Sequence, residues 1–257
     1  MKISALINKL AEARSKLQNR YANLIAENLE KRIPRAAGLS ISFDDAYVDE
    51  WFSIRPVFDR YKVKATFFVS NFDLLTDDKI EKLKILRSDG HEIAFHGLRH
   101  LNANKFAAEN SVSEYLAAEI LPGIKTMVSR GFAPITFSYP YGCRSARLDW
   151  ALLQYFSHVR GVANANNGKN LCDQKSIFYK SSSGLLFGAG IDNIYKTSIQ
   201  AVQDALKKAA AQNSVLLLFA HRTSSEEGNY CTPAAKLDAI FKSVSEMDLK
   251  FYRIKDL

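Results

Sequence analysis

Residues 38–51 read GLSISFDDAYVDEW: a strand-like apolar run that stops on two adjacent carboxylates, Asp44 and Asp45. Ending a buried strand on paired acids costs desolvation and like-charge repulsion unless a cation neutralises them nearby. The stretch therefore predicts two things, a central strand and a cation site at its carboxyl end.

Working outward, apolar strand candidates alternate with helical patterns. GLSISF is followed by a helix near 48–61, KATFFVS by one near 77–88, HEIAF by one near 111–130 and ITFSYP by one near 145–157. VRGVAN and SIFYKSS come next, then a helix near 197–212, VLLLFAH, a helix near 233–246 and KFYRI. This alternation predicts βα units around a parallel sheet. Seven or eight strands in 257 residues suit a distorted (β/α)7-8 barrel, which keeps its chemistry at the carboxyl ends of its strands.

Before this series, Ile3, Leu6, Ile7, Leu10, Ala13, Leu17, Tyr21, Leu24 and Ile25 recur at intervals of three and four, the mark of an amphipathic helix ending before Pro34. Residues 1–35 are expected to form an N-terminal helical extension to a catalytic domain over 36–257. A helix packed on the domain is the simpler reading; a peripheral membrane contact or an oligomer contact through it is the alternative.

Composition excludes several classes. With 47% hydrophobic and 24% charged residues the chain has a globular balance, and no apolar stretch approaches the ~18 residues of a membrane span. Lys and Arg (35) exceed Asp and Glu (27), but there is no helix-turn-helix pattern, aromatic RNA-binding signature or sustained basic run, so nucleic acid is not expected as a partner. Three scattered cysteines argue against a disulfide framework, and the N-terminus lacks a secretory signal pattern; both suit the cytoplasm.

The cation site has candidates. His96 and His100 lie four apart in HEIAFHGLRH, so a helical turn after HEIAF would project both imidazoles from one face, with Asp45 as a third ligand. Two imidazoles and a carboxylate leave positions open for water and substrate, as catalytic zinc sites do. HEIAFH is not a zincin motif, because His91 and His96 are five apart on a strand. His221, closing VLLLFAH, falls where barrel chemistry is expected.

These residues resemble the polysaccharide deacetylases with the NodB homology domain, carbohydrate esterase family 4. The first motif of that family, Thr-Phe-Asp-Asp-Gly, resembles Ser42 to Ala46; its His-Ser/Thr-x-x-His resembles His96 to His100; its Arg-x-Pro-Tyr/Phe-Gly resembles Ser138 to Gly142; its Leu-x-His resembles Phe219 to His221. The resemblance runs over roughly residues 38–225. It implies that Asp45, His96 and His100 hold a divalent ion, zinc being the expected one, and that Asp44 is the general base. It further implies that the backbone N–H of Tyr141 and the ion stabilise the oxyanion, and that His221 protonates the leaving amine.

Two departures stand out. Ala46 replaces a glycine, and Ser138 replaces the arginine that normally restrains the base, leaving Arg144, Arg147 or Arg222 as substitutes. Asp192, in GAGIDN after a later strand, is the preferred partner of His221; LDW at Asp149 and Trp150 lies too close to the third motif. Tyr139, Pro140, Tyr141 and Arg222 are the expected substrate contacts, and GVANANNGKNLCD a loop over the mouth. The resulting expectation is a metal-dependent N-deacetylase of an N-acetylated glycan or lipid-linked sugar precursor. Its rivals are a hydrolase of non-sugar amides and a non-catalytic glycan-binding relative.

Overall fold

Strand β1 (Gly38–Asp45) alternates Leu39, Ile41 and Phe43 with Ser40, Ser42 and Asp44, all but fully buried. The first set packs among Trp51, Phe58 and Phe67, under the surrounding helices. The second set lines the barrel interior, so β1 is buried on both faces, as parallel strands usually are. The computed structural model describes residues 36–163, 170–180, 183–223 and 228–257. The expected helical extension over 1–35 and the Asn-rich part of the expected mouth loop, 164–169, lie outside the described residues.

Seven parallel strands close a ring: β1, β2 (Thr66–Val69), β3 (Glu92–Phe95), β4 (Thr136–Ser138), β5 (His158–Val162), β7 (Leu185–Gly190) and β8 (Val215–Ala220), with β8 pairing back onto β1. The fold is thus a (β/α)7 barrel. SIFYKSS does not supply a ring strand: it yields only the two-residue β6 (Phe178–Tyr179), antiparallel on β8. The ring strand is LLFGAG, whose glycines weaken its strand signal but leave room inside the barrel. KFYRI forms β9 (Lys250–Tyr252), which pairs with β1 outside the ring.

Helices cover the ring largely as expected. Asp77–Ser88 starts at Thr76, whose side chain accepts from Lys79 N. The expected helix near 48–61 is two short ones, Val48–Ser53 and Arg55–Tyr61, with Pro56 in the first turn of the second. The segment near 111–130 contains a π-helical turn, Leu116–Ile120, which carries the fully buried Glu119. Among the described residues no helix is long and apolar enough to cross a membrane.

Phe68, Ala94, Leu186 and Leu217 fill the middle of the barrel. At the amino-terminal end of the strands, Glu92 Oε2 accepts from Thr66 Oγ1 (2.8 Å) and Lys255 N (3.0 Å), and Oε1 accepts from Thr136 Oγ1 (2.7 Å). His91 is buried beside Phe58 and Phe67, one strand length from His96. At the other end the strands open onto the carboxylates.

Candidate metal centre

The chain reverses sharply after β1, and the strain falls on Asp45, which has φ +84°. Aspartate tolerates the left-handed region better than most residues. Because the positive φ sits at 45, the alanine at 46 needs no glycine-like backbone. After β3 the chain does not become helical, as the spacing of His96 and His100 had suggested. It forms a loop in which Gly97 (φ +89°) and His100 (φ +55°) make the turns.

Glu119 holds that loop from behind. Both its oxygens accept from Arg99 N at 3.0 Å, and Oε1 accepts from Leu101 N at 3.1 Å, so one buried carboxylate fixes the backbone on each side of His100. A Cβ on Gly97 would stand 2.6 Å from Glu119 Oε1. The glycine is needed for space as well as for φ. Burial pushes the Glu119 carboxyl up, against the pull of these N–H groups.

The loop brings Asp45, His96 and His100 together. His100 Nε2 lies 3.1 Å from Asp45 Oδ1 and 3.2 Å from His96 Nε2, and His96 Nε2 lies 3.6 Å from Asp45 Oδ1. Three ligands tetrahedrally disposed about an ion at ~2.1 Å would stand ~3.4 Å apart, so the donor set fits one divalent cation. His96 Nδ1 lies 2.9 Å from the Ser138 carbonyl oxygen, which can only accept, so the proton is on Nδ1 and the lone pair of Nε2 faces the cluster. Burial holds His96 near 4, which keeps the ring neutral. Burial also pushes Asp45 up, but the His100 hydrogen bond and the electrostatic pull of the surrounding imidazoles outweigh it, and Asp45 stays below the usual carboxylate range.

Asp44 is buried beside this cluster, 4.0 Å from His96 Nε2 through Oδ2. Its Oδ2 is paired with Arg160 Nη2, while Oδ1 has no hydrogen-bond partner among the described residues. Arg160, on β5, therefore stands where Arg144, Arg147 or Arg222 was expected. Arg144 is committed to Asp149 (Nε to Oδ1, 3.0 Å), Arg222 to Glu50 (2.9 Å), and Arg147 is exposed. The sequence signal for Arg160 was a lone charge inside HVRGV; Glu119 had only a lone acid in an apolar helix, LAAEI.

Across the site, His221 Nδ1 donates to Asp192 Oδ2 at 2.6 Å, and His221 N donates to Oδ1 at 3.2 Å. Thr232 Oγ1 donates to Oδ1 at 2.8 Å, so the preferred partner of His221 is the one observed. Trp51 Nε1 donates to the His221 carbonyl at 2.7 Å, a contact without any sequence signal. Burial lowers the imidazole, but the Asp192 hydrogen bond and the charges of Asp44, Asp192 and Asp45 prevail, and His221 is raised above its ordinary value.

The expected substrate contacts divide. Tyr141 is 68% exposed, has φ +59°, and sets its ring 4.6 Å from that of His100. Arg222 lies over Tyr47 near the mouth. Tyr139 and Pro140 are buried, and Tyr139 donates its hydroxyl to Asp149 Oδ1 at 2.9 Å, so neither can stack on a sugar. They anchor the turn that presents Tyr141.

Fold and site together define a (β/α)7 barrel with a two-histidine, one-aspartate cluster that could hold a metal ion at the carboxyl ends of its strands. Residues 31–156 match the polysaccharide deacetylase family. Its class is that of hydrolases of N-acetyl amide bonds, and divalent-metal dependence is general in the family. Solved structures share the fold. Peptidoglycan deacetylase PdaC from Bacillus subtilis is 17% identical, with 87% of this chain and 90% of that one covered and a TM-score of 0.55. The Bc1960 peptidoglycan N-acetylglucosamine deacetylase is 21% identical, with 86% and 87% covered and a TM-score of 0.54. A family 4 carbohydrate esterase from Streptomyces lividans is 15% identical, with 84% and 91% covered and a TM-score of 0.51. No curated protein sequence matches the chain.

Proposed function

We propose that the chain is a zinc-dependent N-deacetylase that hydrolyses the acetamide of an N-acetylated sugar in a glycan or a lipid-linked glycan precursor. The observation that carries this reading is the meeting of Asp45, His96 and His100 beside a buried acid, Asp44, and opposite a histidine held by Asp192. Asp45, His96 and His100 would hold the ion, which when bound supplies Lewis-acid polarisation of the acetamide and of solvent.

The roles of the chain's own groups follow from their surroundings. Asp44 Oδ1, unpartnered while Oδ2 is tied to Arg160, is the oxygen free to take a proton from attacking water. The Tyr141 backbone N–H supports the developing oxyanion. His221, raised by Asp192, holds its proton to higher pH than an ordinary imidazole and delivers it to the departing nitrogen. Water and acetamide become acetate and a free amino sugar. Exposed Tyr141 and half-buried Tyr47 offer ring faces on which a sugar can stack.

The test combines metal analysis with acetate release from N-acetylhexosamine oligomers, nucleotide sugars and lipid-linked glycans, against small cyclic amides. Asp45→Ala and His96→Ala should lose metal, whereas Asp44→Asn should keep it and lose turnover. Acetate release that survives chelation and dialysis would overturn the mechanism. Turnover of the cyclic amides alone would favour the non-sugar hydrolase; glycan binding without release by metal-loaded protein would favour the binding relative.

A further inference from the structure

Arg160 is the largest buried cation in the barrel, 1% exposed, and its surroundings carry more than an ion pair. Nη2 donates to Asp44 Oδ2 and also to Ser138 Oγ at 2.5 Å. Ser138 Oγ is 3.0 Å from His96 Nδ1, and the carbonyl of the same serine accepts from that nitrogen. One guanidinium nitrogen thus touches both the acid beside the ion site and the residue that fixes a ligand's tautomer.

The fold explains how it arrives there. Ser138 on β4 and Arg160 on β5 are register partners, so their side chains emerge on the same interior face. Ser138, fully buried, fills little space and leaves the guanidinium a path to Asp44. On the far side lies Gly188, whose absent Cβ would come within ordinary contact, 3.4 Å, of Arg160 Cδ. Phe219 (4.7 Å) and Phe68 (5.3 Å) face the guanidinium, which excludes water and restricts its movement. Among the described residues Arg160 Nε and Nη1 have no hydrogen-bond partner, so there the polar hold on this buried cation runs through Nη2.

We propose that Arg160 and Ser138 form a positioning relay, Asp44–Arg160–Ser138–His96, that fixes the base and the metal ligand as one unit, so that disturbing either end is felt at the other. The assignment of Asp44 as base rests on the deacetylase reading; the coupling of Arg160 to metal affinity does not. Breaking a charged buried link of this kind should slow turnover tenfold to about a hundredfold, and disturbing the outer shell of a metal ligand should weaken metal binding by about the same range.

The experiment uses the full chain loaded with zinc or cobalt. Zinc affinity is read by competition with a chromogenic chelator, ligand geometry by the cobalt visible spectrum, and kcat and KM by acetate release. Arg160→Gln is expected to lower kcat with KM unchanged and also to lower zinc affinity and alter the cobalt spectrum, although Arg160 is no ligand. Arg160→Lys should recover part of each. Ser138→Ala should weaken zinc binding and, in combination with Arg160→Gln, add little further. Should Arg160→Gln fail to fold, Asp44→Asn/Arg160→Gln removes both buried charges and is compared with Asp44→Asn for zinc affinity. A purely structural arginine would lower only Tm; wild-type zinc affinity and spectrum in folded Arg160→Gln, or in the double variant relative to Asp44→Asn, would overturn the relay. Absence of acetate release from the wild type would overturn the deacetylase reading instead, leaving the metal measurements to decide the relay.

Discussion

Replacing Glu119 by alanine should disable the metal centre from outside it. The carboxylate accepts from Arg99 N and Leu101 N, the two N–H groups that flank His100, while His100 itself sits at φ +55°. A left-handed non-glycine residue costs about 1–2 kcal/mol and persists only where its surroundings enforce it. Without Glu119 two backbone donors lose their acceptor; Arg99 is exposed and Leu101 half-buried, so water replaces part of the loss. The net cost is about 1–3 kcal/mol, which in a domain of this size lowers Tm by about 3–10 °C. The freed loop also lets His100 relax toward ordinary backbone angles, taking its Nε2 away from Asp45 and His96, with a loss of metal affinity of about 10- to 100-fold. Glu119→Gln, which keeps Oε1 as acceptor for both donors, should fall between alanine and wild type. Differential scanning calorimetry and chelator competition on the three proteins check this order. An alanine variant with wild-type zinc affinity would refute the claim that Glu119 places His100.

Two further outcomes follow from pH. Asp192→Asn removes the carboxylate that raises His221, so the alkaline limb of the kcat profile should move to lower pH, with kcat falling by roughly tenfold or more; an unmoved limb would mean that His221 is not the group titrating there. Burial holds His91 at about 4 against an ordinary 6.5. The native state thus binds fewer protons than the unfolded chain between those values. Stability contributed by neutral His91 is present above pH 6.5 and lost as pH falls toward 4, by about 3 kcal/mol at most. His91→Gln, which retains an acceptor for Ala65 N, should flatten the stability curve in that window, measured by urea denaturation at several pH values.

The match between sequence and structure is closest where one segment contains its own information. GLSISFDD forms a strand that ends on its acids, Asp77–Ser88 forms the expected helix, and His221 closes its strand. It is weakest where glycine or shortness hides a strand: LLFGAG enters the ring and SIFYKSS does not. Tyr139 looked like a sugar platform because an aromatic beside a turn can face either way, and only packing against Phe137 and the bond to Asp149 turned it inward.

By itself the sequence determined the parallel βα architecture and named the three metal-ligating candidates, because strand and helix periods are local and because carboxylates at strand ends demand a cation. Only the tertiary structure decided how they meet. A glycine-made loop pinned by Glu119, rather than a helix, carries His100 to His96, and an arginine from β5, reaching through the barrel interior, holds Asp44. Contacts across 116 residues of chain, as between Asp44 and Arg160, exist only once the barrel closes and register sets which side chains share its interior.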